Sequence, residues 1–336
     1  MKKERIFYLD FIRAIATIGI ILTHYNALFV YNTSIPMPEK AVITLSVGNI
    51  YIGGWGVSLF LIISGASLMY VYENHFDNKA FLKKRLINIF PMFWIAYVGA
   101  LLFNFYLYGA IDTSIGKWRF IFSVLGIDSF LGNFAIPSFY LVGEWFLAYI
   151  LMVYILFPIL RKGVMDYPIV LAVIAGIMYV ISIVFLGKDV TLFARLPEFL
   201  FGMYFMKYIK KINWKIALIS FVVVLLNSVI KPDINYIFQY TYIGVASYLI
   251  LVYCSKFFDF GICRKICSVI CKYSYPCFII HHYLIFKMVS KFDLNQITVG
   301  QSYLLFCCCV VMIAVFSYLL LHINDKIMQL FKGEVK

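Results

Sequence analysis

Ten stretches of almost unbroken apolar residues run along the chain, at roughly 6–30, 50–72, 87–108, 139–160, 168–187, 192–208, 213–231, 236–256, 273–291 and 299–323. A helix needs about 20 such residues to cross a bilayer. The sixth stretch is short, and 118–136 is a semi-apolar piece that could be re-entrant. Inside lipid every backbone polar group must be satisfied within its own segment, so runs of this length predict helices. The expectation is an all-α, polytopic integral membrane protein with about ten transmembrane helices. No internal repeat, low-complexity tract or long linker divides the chain, so residues 1–336 are expected to form a single transmembrane domain.

Composition agrees. The chain is 63% hydrophobic and 13% charged, where a soluble domain is nearer half apolar and a quarter charged. Its formal net charge of +13 does not call for nucleic acid, because Lys and Arg gather in alternate connections. With the N-terminus cytoplasmic, inside segments hold 20 of the 29 basic residues and outside segments at most 8, so both termini are expected in the cytoplasm. The first run is too long for a signal-peptide core and lacks an Ala-x-Ala-like site, so it reads as a retained helix. All eight cysteines lie after residue 250 without a C-x-x-C pair, and no H-x-x-x-H or H-E-x-x-H string is present. They read as small apolar helix residues, and no metal site is expected.

The first run carries Asp10, Arg13 and His24. A mid-span Arg costs about 2.5–3.5 kcal/mol on insertion scales, so such groups need partners, a watery cavity or a catalytic task. His24 lies eleven positions after Arg13, about 1100° of helical turn, which returns them to within about 20° of each other. Asp10 falls within about 40° of His24, so all three share one stripe. Along the axis Arg13 and His24 stand about 16 Å apart, His24 toward the outer face. Alternatively, Asp10 and Arg13 form a local i,i+3 ion pair and His24 is a packed histidine.

Other strings carry chemistry. Gly53, Gly54, Gly56 and Ser64-Gly65 permit close helix packing or line a channel. Lys83, Lys84 and Arg85 open the third run and suit phosphates, with help from a helix N-terminus, or merely follow the positive-inside bias. Glu144 stands at the outer end of the fourth run, near the depth of His24, where it orients that ring or a sugar hydroxyl, or is simply solvated. Arg195 and Glu198 flank Pro197 at i,i+3. His281 and His282 point about 100° apart, so at most one shares a given face.

Together these strings resemble the acyltransferase-3 family of bacterial multi-pass membrane acyltransferases, particularly stand-alone members that O-acetylate surface glycans. The family opens with Asp-x-x-Arg and an Arg and His separated by ten residues, as are Arg13 and His24. Phe60 with Ser64-Gly65 matches its second helix. Arg85 and Pro91 match its Arg-x-x-Arg-x-x-Pro string, in which Asn88 replaces the second Arg and Lys84 is the candidate substitute. Trp145, Phe146, Tyr154 and Pro158, then Arg195, Glu198 and Gly202, then Ser274, Tyr275 and His281 follow in the family's order. No counterpart of the soluble esterase-like domain of some relatives is expected.

The resemblance implies an O-acyltransferase, most simply an O-acetyltransferase, in the bacterial inner or plasma membrane. Its donor would be cytoplasmic acyl-CoA, usually acetyl-CoA, and its acceptor a hydroxyl of an extracytoplasmic glycan or lipid-linked sugar. The expected catalytic set is His24 as general base with Arg13, Asp10 and Glu144. The expected donor-binding set is Arg85, Lys84, Lys83 and Ser64. Partners beyond the bilayer are the two substrates, with a homo-oligomer left open. A transporter or flippase for a glycan or lipid-linked precursor is the alternative, and a non-catalytic subunit of a polysaccharide machine is a third.

Overall fold

The computed structural model describes residues 4–31, 33, 35–109, 114–132, 134–143, 145–188 and 191–333. Among them twelve α-helices follow in order: α1 Phe7–Tyr31, α2 Ile52–Tyr72, α3 Asn78–Tyr108, α4 Phe120–Val124, α5 Asp128–Gly132, α6 Trp145–Asp166, α7 Pro168–Ile181, α8 Leu192–Tyr204, α9 Trp214–Ile230, α10 Tyr236–Cys254, α11 Gly261–Val289 and α12 Val299–Gly333. Each of the ten apolar runs corresponds to one of the ten longer helices. Seven of these, counting short extensions of α7 and α10 and taking α12 only as far as Phe331, are long and apolar enough to cross a membrane. The fifth and sixth runs end in single π-helical turns, Ser182–Leu186 and Phe205–Ile209. Among its described residues the semi-apolar piece 118–136 contributes the short α4 and α5, preceded by a 3₁₀ turn at Lys117–Arg119 and interrupted near Gly126 at φ 67°.

The exposed surface is that of a membrane protein. On α7, Ile169, Val173, Ile177 and Val180 are all exposed. They recur at helical spacing, an apolar face that a water-soluble monomer would bury.

The chain divides into two compact units. Unit 1 comprises 1–77 and 156–272, and unit 2 comprises 78–155 and 273–336. Within unit 1, α2 packs against α1, α8 and α10. Glycines set these approaches. A Cβ added at Gly65 would meet the Phe199 backbone, and one at Gly202 would meet that of Ile62 and Ala66, so α2 and α8 touch backbone to backbone. Gly54 faces the Tyr240 ring and Gly244 faces Ser58 in the same manner between α2 and α10. The C-terminal carbonyls of α2, orphaned by the helix ending, are met by Arg161. Its Nε donates to Tyr72 O and its Nη2 to Glu73 O, both at 2.7 Å.

Unit 1 also carries a hairpin, β1 Ser46–Val47 paired antiparallel with β2 Ile50–Tyr51. Gly48 and Asn49 turn it with φ of 58° and 64°, the signs a type I′ turn requires. Buried Asn26 on α1 holds the preceding loop, donating to Val42 O and Thr44 O and accepting from Val42 N.

In unit 2 the core forms where α3, the start of α6, α11 and α12 meet, around Phe93, Tyr97, Leu147, Ile279 and Leu320. Tyr275 of α11 donates to Ile89 O of α3 at 2.8 Å, and Gly143 N donates to Ile279 O at 3.0 Å.

Candidate functional site

The stripe on α1 forms as a straight helix requires, but with different partners. The Asp10 carboxylate lies in the first turn, where the helix dipole favours negative charge. It pairs with Arg5, ahead of the helix, at 2.8 Å. The alternative local pairing of Asp10 with Arg13 is not among the ion pairs of the described residues. Arg13 reaches across to α2, where its Nη2 donates to Ser67 Oγ at 3.2 Å. Arg5 in turn donates to Ser268 Oγ at 3.0 Å, and Cys271 Sγ to Asp10 O at 3.3 Å, so this end of α1 is bound to α11.

Arg13 and His24 are both half-buried, whereas Ile12, Ala14, Thr23 and Tyr25 beside them are buried. On α2, Val57, Phe60, Ser64, Ser67 and Tyr70 are likewise half-buried at spacings of three and four. The Arg13–Ser67 bond sets the two half-open stripes side by side at one end. Ser64 lies on the Ser67 face, its hydroxyl donating to Phe60 O at 2.7 Å within its own helix.

The turns of α1 that carry His24 also anchor the 33–51 connection. Tyr51 OH donates to Thr23 O at 3.2 Å, and the Asn26 bonds clasp Val42 and Thr44. His24 thus stands beside a fastened lip. The arrangement can hold an imidazole at one end of a half-buried stripe and a guanidinium at the other.

Deeper in unit 1 lies a polar centre that the sequence showed only as an i,i+3 pair. Arg195 and Glu198 are wholly buried and pair at 3.2 Å. Arg195 Nη2 also donates to Ser58 Oγ at 2.9 Å and Gly54 O at 3.2 Å, and the guanidinium lies 5.2 Å from the centre of the Tyr240 ring. Arg195 Nε and Nη1 and Glu198 Oε2 have no hydrogen-bond partner in the structure. The pair therefore stitches α8 to α2 and α10 in the interior.

In unit 2, α3 begins at Asn78, so Lys83, Lys84 and Arg85 lie in its second and third turns. The unbonded N–H groups belong to the first turn, so the helix N-terminus does not assist these side chains as expected. Lys83 and Lys84 are exposed. Arg85 is half-buried, its guanidinium 5.3 Å from the ring centres of both Phe81 and Tyr154, a cation–π pair of contacts. Asn88, one turn beyond Lys84, is exposed. Glu144 lies outside the described residues.

His281 is buried, its Nδ1 donating to Phe278 O at 2.9 Å and Cys277 O at 3.1 Å. His282 Nδ1 lies 3.1 Å from Tyr140 OH. The two rings take different surroundings, as their 100° separation requires. The residues that sequence reasoning passed over are Arg5, Ser67, Ser58 and Tyr240. Of these only Ser67 carried a legible signal, three residues from Ser64 on one face.

Neither the curated proteins nor the solved structures gave a match. The family model described as an acyltransferase domain matches residues 6–322, from the first turn of α1 into α12. An all-helical, membrane-spanning chain that this model matches over nearly its whole length belongs to the acyltransferase-3 family.

Proposed function

We propose that this acyltransferase is an O-acetyltransferase of a bacterial cell membrane. It moves an acetyl group from cytoplasmic acetyl-CoA to a hydroxyl of an extracytoplasmic glycan or lipid-linked sugar. The observation that supports this reading is the shared, half-buried face of α1 that carries Arg13 and His24. A thin pantetheine arm running along that stripe would bring its thioester to His24. The neutral imidazole takes the proton of the acceptor hydroxyl as its oxygen attacks the thioester carbonyl. The tetrahedral intermediate then collapses, the C–S bond breaks, and the coenzyme A thiolate leaves and is reprotonated. Arg13, held by Ser67, lines the path together with Ser64. Lys83, Lys84 and Arg85 bind the donor's phosphates, the lysines as mobile point charges and Arg85 as an oriented fork. Asp10, through Arg5, and Glu144 complete the proposed polar set.

The test is acceptor-dependent release of coenzyme A thiol in membranes given acetyl-CoA. His24→Ala should reduce release to background while the chain accumulates and inserts normally. Full release in that variant removes His24 from the mechanism. Absence of thiol release from the unaltered protein, with glycan movement across the membrane instead, would favour the transport reading.

A further inference from the structure

We propose that unit 2 holds an anionic phospholipid in the groove between α3, α11 and α12, with its phosphate on Lys287 and Lys291. The groove is a cavity of about 1000 Å³, at the upper end of the roughly 300–1,000 Å³ of ligand pockets. Its walls are almost wholly apolar, with Gly99 and Phe103 on α3, Leu284 on α11 and Leu304 and Met312 on α12. Two lysines stand together at one end. Lys287 stands in the last turn of α11 and Lys291 in the turn that follows the helix, and both line the cavity.

A purely hydrocarbon occupant has no use for that charge, and a soluble anion has no use for the walls. An amphiphile with an anionic head matches both. Along α11 the lining runs from Ile280 to Lys287, seven residues or about 10 Å, and along α12 from Gln301 to Ile323, about 33 Å. The longer wall thus matches a hydrocarbon core of about 30 Å, room for acyl chains beyond a head at the lysines. A phosphate at the lysines therefore leaves its acyl chains lying against the apolar walls. Lys287 Nζ donates to Tyr108 OH at 2.9 Å and lies 4.6 Å from that ring's centre and 5.5 Å from that of Tyr283, which fixes the ammonium at the rim. Of its three donors, one is used there.

The positive-inside pattern places this rim at the outer face, where basic residues are few. That scarcity sets the pair apart from the general cytoplasmic excess of charge. Nothing in this inference depends on acyl transfer.

The experiment is native mass spectrometry of the purified full chain from detergent, offered phosphatidylglycerol or phosphatidylcholine with identical acyl chains. Phosphatidylglycerol should be retained in preference by roughly 25-fold, each lysine contributing roughly fivefold. The double variant Lys287→Gln/Lys291→Gln should bring the two lipids to parity. Gly99→Phe should displace both, because a Cβ at Gly99 meets nothing within 4 Å and the residue lines the groove that the ring would occupy. The variant Lys210→Gln/Lys211→Gln, in another exposed basic pair, should leave the preference intact. Equal retention of the two lipids, an unchanged preference in the Lys287/Lys291 variant, or equal loss in the Lys210/Lys211 variant would each overturn the proposal. So would a species of twice the chain mass that Gly99→Phe dissociates, since a second copy would then fill the groove. Unaltered helicity and Tm in the variants guard against a failure to fold.

Discussion

Gly202→Ala tests the contact on which unit 1 is built. A Cβ at this position would stand 2.8 Å from Ile62 C and 2.9 Å from Ala66 N, and closer still to Ile62 O. Ordinary contact begins at 3.4 Å, so clearing the carbonyl carbon alone requires 3.4 − 2.8 = 0.6 Å of separation, and clearing the oxygen requires more. The obstacle is helix backbone, so no rotamer change relieves it. Overpacking of this kind typically costs about 1–3 kcal/mol. Alanine returns up to about 1 kcal/mol through its better helix propensity, and the rigid backbone puts the clash at the top of its range. The net expectation is destabilisation of about 2 kcal/mol. Because α2 carries Ser64 and Ser67 of the proposed donor path, acyl transfer should fall with it. The assay is the thermal midpoint in detergent, followed by fluorescence-detected size exclusion. Gly176→Ala is the control, since its Cβ would meet nothing within 4 Å. It should leave Tm unchanged or raise it slightly. A Gly202→Ala protein as stable as the parent would refute close backbone packing of α8 on α2.

Three further outcomes are expected. Glu198→Gln or Arg195→Met alone should cost about 3–5 kcal/mol by stranding one buried charge, whereas the double variant Arg195→Met/Glu198→Leu should recover most of it; additive losses in the thermal midpoints would contradict the buried pair. Burial in the 114–143 segment pushes the Asp128 carboxyl from 3.8 up to about 6, so the fold binds its proton more tightly than the unfolded chain does. Its stabilisation is therefore full below about pH 4 and is lost as pH rises to about 6; Asp128→Asn should flatten this part of the Tm-against-pH curve, and parallel curves would exclude the residue as its source. If the proposed donor site is right, Arg85→Ala should raise KM for acyl-CoA with a smaller effect on kcat, and Arg85→Lys should restore it only in part, because an ammonium cannot reproduce the planar fork between two rings; an unchanged KM would remove Arg85 from donor binding.

The existence and order of the ten longer helices and the stripe on α1 were legible from the residues alone, whereas α3 and α11 start well ahead of their apolar runs and α12 ends well past its own. What was legible follows from constraints that act locally. A segment in hydrocarbon must satisfy its own backbone, and a 3.6-residue period returns position 24 to the face of position 13. The early start of α3 was less legible, because Asn78–Arg85 is polar and its helix extends beyond the apolar run. Nothing local told Arg13 to choose Ser67, 54 residues away, over Asp10. The same holds for Gly65 and Gly202, which looked like separate motifs and prove to be two sides of one contact. Apolar helices are alike in hydropathy, so their pairing is decided by where small residues let backbones close and where polar groups find partners. Those choices join positions distant in sequence, and only the packed structure makes them.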